Sequence, residues 1–330
     1  MGACNNGGKT LAVNLFKGKK AVFYTILSIM FVSFAVFIVT QKTEDYRYID
    51  EMSRIQARVY SMDDFLDDIE DDIQRELYIT GYRSVSSLVD YIINYGEFID
   101  DVDLRFEEAF MNGTVKNQTI VLMVNNTFPD WLERVADQGE KMGVLLNMSI
   151  SNIQLYHVSP WSVNISADFV VNITDMSNTA KWNRTAYVVS TIDIYGFEDP
   201  LYIINSLGRV TNFINNTVFE GNYTSGSGAS FDPSNLLNHT LEGYYATHTD
   251  APSFLMRFEN NLNASVYGIE SMVDLPELQG QGLDTYDKCV LDYIYWSSSS
   301  PTSYQVNNMP SWFRIDAGHT TKYQVDGETY

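Results

Sequence analysis

The chain has 330 residues with a formal net charge of −21, and 45% of its residues are hydrophobic. This length allows one or two domains, and the apolar content excludes an intrinsically disordered chain. Residues 1–40 contain four lysines and no acidic residue, so the acidic charge belongs to the rest of the chain, where it argues against nucleic acid and anionic lipid as partners.

Residues 1–20 form a short basic tail, rich in glycine and asparagine. Within it, Ala3–Thr10 (ACNNGGKT) satisfies the loose pattern of a phosphate-binding loop. A working phosphate loop needs a buried strand before it and a helix after it, so that backbone amides point at the phosphate. Only two residues precede this match. We therefore expect no nucleotide binding and no cofactor here.

Residues 21–40 are predicted to form a transmembrane helix, because they include no charged residue and no proline. A helix of this length rises about 30 Å, the thickness of a bilayer core. The lysines lie only on its N-terminal side, so the positive-inside rule places the N-terminus in the cytoplasm and the chain after Gln41 outside the cell. The lipid bilayer is thus the partner that the sequence predicts directly.

The front edge of this helix combines a basic pair, Lys19 and Lys20, a small residue, Ala21, and a long apolar run from Val22. This order resembles the class III signal of archaeal type IV pilins and related surface proteins. The resemblance implies that a prepilin peptidase cleaves before the helix and that the helix then packs in a filament core. The chain departs from the pattern at Ile26, where many pilins carry a glutamate.

A helical stem is predicted for residues 41–111. Gly81 and Gly96 are expected to separate two further helices, Arg83–Tyr95 and Glu97–Met111, so that the first folds back antiparallel onto the stem. The stem's apolar stripe would then be covered either by these helices or by the stem of another copy. The stripe has spacings of three and four residues, typical of a heptad seam, and consists of Met52, Ile55, Val59, Met62, Leu66, Ile69, Ile73 and Leu77.

Residues 112–330 are predicted to form an α+β head. Phe128-Pro129 opens a short helix that runs to about Met142, with proline at an early helical position. Three runs of alternating apolar and polar residues follow, and they predict an antiparallel meander with one buried and one hydrated face. These runs are Val144–Tyr156, Ser162–Ile173 and Arg184–Tyr195.

The remainder of the head has weaker patterns. Gly221–Asn238 is predicted to be a flexible loop, and two late strands are predicted at Lys288–Trp296 and Trp312–Asp316. Pro252–Asn261 and Ala264–Met272 are expected to be short helical or irregular segments. Three phrases, GFEDPLYIIN (196–205), SVYGIESMVDLPEL (265–278) and MPSWFRID (309–316), are similar to those of uncharacterised membrane-anchored surface proteins of archaea. This resemblance implies location and architecture but no activity.

The two cysteines, Cys4 and Cys289, lie on opposite sides of the predicted membrane helix, so they cannot form an intramolecular disulfide. A secreted animal domain of this size usually carries several disulfides, and their absence favours a prokaryotic source. Cys289 is expected to be a small buried hydrophobic residue.

Glycosylation is the strongest signal after the membrane helix. The chain has eleven Asn-x-Ser/Thr sequons, against about four expected from composition alone. None lies in residues 41–111, which predicts a glycosylated head and a bare stem. The alternative is that the sequons have no function, because Asn, Ser and Thr occur together in surface loops and strands. The acceptor residues are Asn112, Asn117, Asn125, Asn147, Asn164, Asn172, Asn183, Asn215, Asn222, Asn238 and Asn263.

Catalytic patterns are sparse. The four histidines, His157, His239, His248 and His319, form no HExxH motif or pair at helical ligand spacing, so a zinc site would require distant residues to meet in the fold. The stem also carries a stripe of acidic residues that lacks the glycine turn of a calcium loop and is expected to be solvated. It consists of Asp63, Asp64, Asp67, Asp68, Glu70, Asp71 and Asp72. The sequence therefore predicts no catalytic, cofactor-binding or metal-binding residues.

These observations predict a single-pass protein of the cell surface with a structural or interaction role, either as a pilin-like subunit or as an envelope component. Self-association or binding to other envelope proteins follows from that role. Two alternatives stay open, an anchored ligand-binding or adhesion module and an ectoenzyme such as a hydrolase. A sensor is poorly supported, because residues 1–20 leave no room for a signalling domain.

Overall fold

The computed structural model describes residues 19–330, which divide into two compact units with a boundary between Asp64 and Phe65. The basic tail before residue 19, with its phosphate-loop pattern and Cys4, lies outside these residues. The fold is α+β, as predicted. Its helices are α1 Lys19–Tyr95, α2 Val102–Asn112, α3 Phe128–Lys141, α4 Pro200–Asn205, α5 Ser234–Leu241, α6 Phe254–Phe258, α7 Leu275–Gly280 and α8 Asp292–Tyr295. Its strands are β1 Thr114–Val115, β2 Gln118–Thr119, β3 Val144–Ser159, β4 Ser162–Asp175, β5 Lys181–Asp193, β6 Ala246–Thr247, β7 Ile269–Glu270, β8 Ser303–Gln305 and β9 Arg314–Asp316.

The first unit contains the apolar N-terminal part of α1. Its large hydrophobic side chains from Val22 to Val39 are 40–69% exposed. Within the described chain, α1 is the one helix long and apolar enough to cross a membrane, and none of its most apolar window is buried. A helix that is hydrophobic on all sides and lacks protein cover has the composition of a bilayer-spanning segment.

The second unit begins with the part of α1 that lies against the central sheet. Leu66, Ile69, Ile73 and Leu77 are at most 2% exposed. On the same helix, Glu70 accepts a hydrogen bond of 3.0 Å from Arg184 Nη1 of β5. This part of the predicted apolar stripe is therefore buried within a single chain.

The predicted helix break at Gly81 is wrong, because α1 continues through it to Tyr95. A Cβ atom built on Gly81 would lie only 1.9 Å from Ile165 Cδ1 of β4 and 3.7 Å from Ile192 Cδ1 of β5. The glycine thus allows close approach of helix and sheet rather than a turn. Residues 83–95 consequently do not fold back onto the stem, and the sheet lies against α1 instead.

Helix α1 ends where glycine permits the left-handed conformation, at Gly96 with a φ of 66°. The next helix starts later than the predicted Glu97, because Asp101 is its N-cap and accepts a hydrogen bond of 2.9 Å from the N–H of Leu104. Helix α3 begins as predicted, with proline in its first turn and a reciprocal capping box between Thr127 and Asp130.

The central sheet has the predicted antiparallel meander order β3-β4-β5. Alternate residues of β4 form its buried face, as expected from the period of two, and all are at most 1% exposed: Val163, Ile165, Ala167, Phe169, Val171 and Ile173. The opposite face carries half-buried polar residues, among them Asn164 and Asn172.

The rest of the head follows the sequence prediction less closely. The predicted strand Lys288–Trp296 is wrong, because Leu291 makes a single bridge to Met272 and α8 follows at once. Strand β9 is present as predicted, but its partner β8 lies in a segment without a strand pattern. Helix α5 likewise begins inside the predicted loop. Cys289 is 1% exposed, which confirms its expected burial.

Candidate functional site

Two short strands and a turn bring together three side chains that could hold a metal ion, His248, Glu270 and His319. Strand β6 pairs with β7 so that Ala246 lies opposite Glu270, and His248 follows β6 directly. His319 lies in a turn after β9, in which its N–H donates to the carbonyl oxygen of Asp316. We call these three side chains the His–Glu–His cluster.

The carboxylate of Glu270 is at the centre of the cluster. Its Oε2 atom lies 3.3 Å from His319 Nε2 and 3.7 Å from His248 Nδ1. The imidazole rings of the two histidines have centroids 4.6 Å apart. Glu270 and His319 are buried, whereas 19% of the His248 side chain is exposed. The cluster is therefore buried on one side and reachable from solvent on the other.

The side chains of the cluster are held by neighbouring hydrogen bonds. His319 Nδ1 lies 2.7 Å from Asp316 Oδ1, and Glu270 Oε1 accepts a hydrogen bond of 2.8 Å from Tyr323. Glu270 Oε2, in contrast, is a buried oxygen without a hydrogen-bond partner. Burial alone would lower the pKa of His319, but its hydrogen bond to Asp316 and the negative charges of Asp316 and Glu270 raise this pKa to about 9. Without a bound cation, a proton on His319 thus neutralises part of the carboxylate charge.

A second buried network surrounds Arg257, which is 0% exposed. Its Nη1 atom donates to Asp199 Oδ2 at 2.5 Å and to Asp292 Oδ2 at 2.8 Å, while Tyr245 donates to Asp199 at 2.7 Å. Burial raises the pKa of Asp199, and the charge of Arg257 opposes this rise. The arginine thus compensates two buried carboxylates and joins α4, α6 and α8.

This Arg257 network also fixes the backbone on both sides of Glu270. Arg257 Nη2 donates to the carbonyl oxygen of Ile269. The N–H and hydroxyl of Ser271 donate to Asp292 Oδ2 at 3.1 and 2.8 Å. Since Ile269 and Ser271 flank Glu270, these hydrogen bonds restrict the backbone that carries the Glu270 side chain. Such outer hydrogen bonds are typical of ordered ligand sites.

The other two histidines lie elsewhere. His157 Nε2 is 3.3 Å from the backbone nitrogen of Leu255, and His239 Nδ1 is 3.0 Å from the hydroxyl of Thr217. The sequence predicts no ligand set, because the cluster residues are far apart in the chain and match no spacing motif. Strands β6 and β7, which position His248 and Glu270, have only two residues each, so they show no alternation of apolar and polar residues in the sequence.

The structure places the predicted glycosylation residues on the second unit and outside α1. Nine of the eleven are exposed, and Asn164 and Asn172 are half-buried on the hydrated face of the sheet. Asn172 lies directly opposite Asn183 in the β4–β5 register. Asn183 Nδ2 donates to Asn172 Oδ1 at 2.6 Å.

The first unit also has an exposed apolar face on α1, after the most apolar segment. It consists of Tyr48, Ile49, Met52, Ile55 and Tyr60, which are 38–65% exposed. We call this surface the upper stripe.

Comparison of the chain with protein-family models, curated proteins and solved structures finds no match.

Proposed function

We propose that the chain is a single-pass membrane protein of the cell surface, in which α1 is the anchor and the α+β head lies outside the cell. The observation that carries the proposal is the exposure of every large apolar side chain from Val22 to Val39 on a helix long enough to cross a bilayer. Lysines that precede this stretch favour a cytoplasmic N-terminus. The exposed sequons of the second unit fit a glycosylated exterior domain.

Its role in this proposal is structural or interactive, as a subunit that associates with copies of itself in the manner of a pilin. The upper stripe supports this role, because its five apolar side chains lie on one helix face close to the proposed bilayer. An exposed helix gains little stability from its own hydrogen bonds and usually needs packing partners. The upper stripe of a second copy offers a complementary apolar face, on which Tyr48, Met52 and Ile55 have the spacing of a heptad seam.

Protease treatment of intact cells tests the topology. We expect the protease to remove the head and to spare residues 1–20, because only the head lies outside. A tag before Met1 and a tag after Tyr330 report the two ends separately. Recovery of an intact head, with the protease shown to cleave an added substrate, would contradict the orientation.

Negative-stain electron microscopy of expressing cells tests self-association. We expect filaments or ordered oligomers for the wild type and their loss in Met52→Asp, which adds a charge to the upper stripe. Ser61→Asp adds the same charge to an exposed polar position of α1 and should leave assembly intact. Dispersed monomers for all three proteins would instead favour an anchored adhesion module.

A further inference from the structure

We propose that the His–Glu–His cluster binds one divalent transition-metal ion of the zinc class. This inference concerns the second unit and does not depend on the role of the upper stripe. Three observations carry it: the convergence of three ligand atoms, the unpartnered buried oxygen of Glu270, and the hydrogen bonds that orient His319.

The ligand spacing suits a small tetrahedral ion. Zinc binds imidazole nitrogen and carboxylate oxygen at about 2.0–2.2 Å, so the ligand atoms of a tetrahedral site lie about 3.4 Å apart. The distances from Glu270 Oε2 to His319 Nε2 and to His248 Nδ1 are 3.3 and 3.7 Å. All three ligand atoms lie within 4.8 Å of one another. The three atoms are thus spaced for one ion, and His248 Nδ1 must release the N–H of Asp250, from which it accepts a hydrogen bond of 3.3 Å, when metal binds.

The unpartnered oxygen points to a cation. Glu270 is 0% exposed, and its Oε2 atom accepts no hydrogen bond although it lies beside two imidazole nitrogens. A buried carboxylate oxygen without a donor is costly, so a positive charge is expected there. A proton on His319 supplies one such charge but serves only one of the two imidazoles. A metal ion would bind the ligand atoms of all three side chains.

The surroundings of His319 and Glu270 match those of metal ligands. Asp316 lies against Nδ1 of His319, which favours the tautomer whose Nε2 lone pair faces Glu270. Tyr323 donates to the other oxygen of Glu270, so Oε2 remains for an ion. The hydroxyl of Tyr293 lies 3.0 Å from His319 Nε2 and must release this nitrogen when metal binds.

The donor set selects the class of metal. Two imidazoles and one carboxylate suit zinc and neighbouring first-row metals, whereas calcium and magnesium prefer oxygen ligands alone. Three protein ligands leave a fourth position for water or for a donor from a bound molecule. His248, the ligand with solvent exposure, lies on the side from which such a molecule would enter.

Zinc titration of the full-length protein in detergent tests the proposal. Metal is first removed with a chelator, and ZnCl₂ is then added in competition with a chromophoric chelator at pH 7.5. We expect one zinc per chain and a rise in the melting temperature with zinc. His248→Ala should weaken binding more than 100-fold and abolish this rise, and Asp316→Asn should weaken binding about 10–100-fold. Tyr293→Phe removes the competitor for Nε2 and should bind at least as tightly as wild type.

Two comparisons separate a metal site from a structural ion pair. His157→Ala removes a histidine outside the cluster and should bind zinc like the wild type. His248→Ala leaves the contacts of His319 with Asp316 and Glu270 in place and removes a hydrogen bond from the N–H of Asp250 and a ring contact with His319, so its metal-free melting temperature should stay close to that of the wild type. The absence of saturable zinc binding, or binding that His248→Ala does not weaken, would overturn the proposal and leave a proton-bridged ion pair.

Discussion

His319 and His239 are both buried, but they differ in protonation because only His319 has acidic neighbours. His319 has two acidic neighbours that raise its pKa to about 9. His239 has none in contact, and burial, with a further contribution from the charge of Lys322, lowers its pKa to about 3. The rings of Tyr223, Tyr244 and Tyr323 surround His239 and offer no negative charge. His239 is therefore neutral in the folded protein at pH values well below the ordinary pKa of histidine.

This difference predicts a loss of stability in acid. The folded-state pKa of His239 lies below the unfolded value of about 6.5, so its contribution is complete above that pH and falls as the pH approaches about 3. The free energy of unfolding should fall by about 1.4 kcal/mol per pH unit more in the wild type than in His239→Gln between pH 6 and pH 4. Urea unfolding in detergent at four pH values measures this slope. Parallel pH profiles would contradict the neutral buried state.

At the scale of elements, the packing of α1 against the central sheet depends on one residue without a side chain. Gly81 is unfavourable within a helix, by about 1 kcal/mol relative to alanine. It is retained in the middle of α1 where Ile165 of β4 occupies the space of a Cβ atom. Helix propensity and sheet packing thus oppose each other at this position, and packing determines the residue.

Gly81→Ala should consequently destabilise the protein by up to about 2 kcal/mol, because the cost of overpacking exceeds the gain in helix propensity. In the Ile165→Val background, which lacks Cδ1 but keeps the γ-carbon 3.3 Å from the built Cβ atom, the same substitution should cost less. Denaturant unfolding of the four proteins of this cycle measures the coupling. Gly280→Ala is the control, since Gly280 lies in α7 with no atom near its missing Cβ. Equal effects of Gly81→Ala in both backgrounds would contradict the contact.

The apolar stripe of α1 gives a second prediction at this scale. Ile69→Asp should destabilise the protein by about 3–5 kcal/mol, because it buries an unpaired charge. Ile55→Asp introduces the same charge where the stripe is exposed and should cost less than about 1 kcal/mol. The stripe around Ile69 is buried within one chain, so the melting temperature of Met52→Asp, in which association through the upper stripe is removed, should not change on dilution. A melting temperature that falls on dilution would indicate burial between copies instead.

For the molecule as a whole, the sequons and the long helix occupy different parts of the chain. The proposed glycosylation predicts an intact mass above the 37.6 kDa of the polypeptide. Mass spectrometry of peptides should find glycans at the exposed sequons and on at most one of Asn172 and Asn183, which lie opposite each other in the sheet. A mass equal to that of the polypeptide would contradict glycosylation.

The features that could be predicted from sequence are those with a long, regular period. The alternation of β4 and the apolar stripe of α1 extend over many residues, so the order of the meander and the helical state of residues 41–80 are predicted correctly. The break predicted at Gly81 is wrong, because the preference of glycine for turns carries no information about its contact with Ile165 of β4. The predicted strand at Lys288–Trp296 failed because its apolar residues lie in a core of short elements, where burial has no period. The His–Glu–His cluster could not be predicted either, because its residues are distant in the chain and lie on or beside equally short elements.

The Arg257 network has a consequence for the order of folding. Its partners Asp199, Ile269 and Asp292 are distant in sequence, so loop closure must precede its formation, as in proteins of high contact order. Partial opening would leave buried charges uncompensated, which makes intermediate states unfavourable. We therefore expect the backbone amides of residues 199–292 that are hydrogen-bonded in this core to exchange with deuterium in a single cooperative step, with the amide of Ser271 among the slowest.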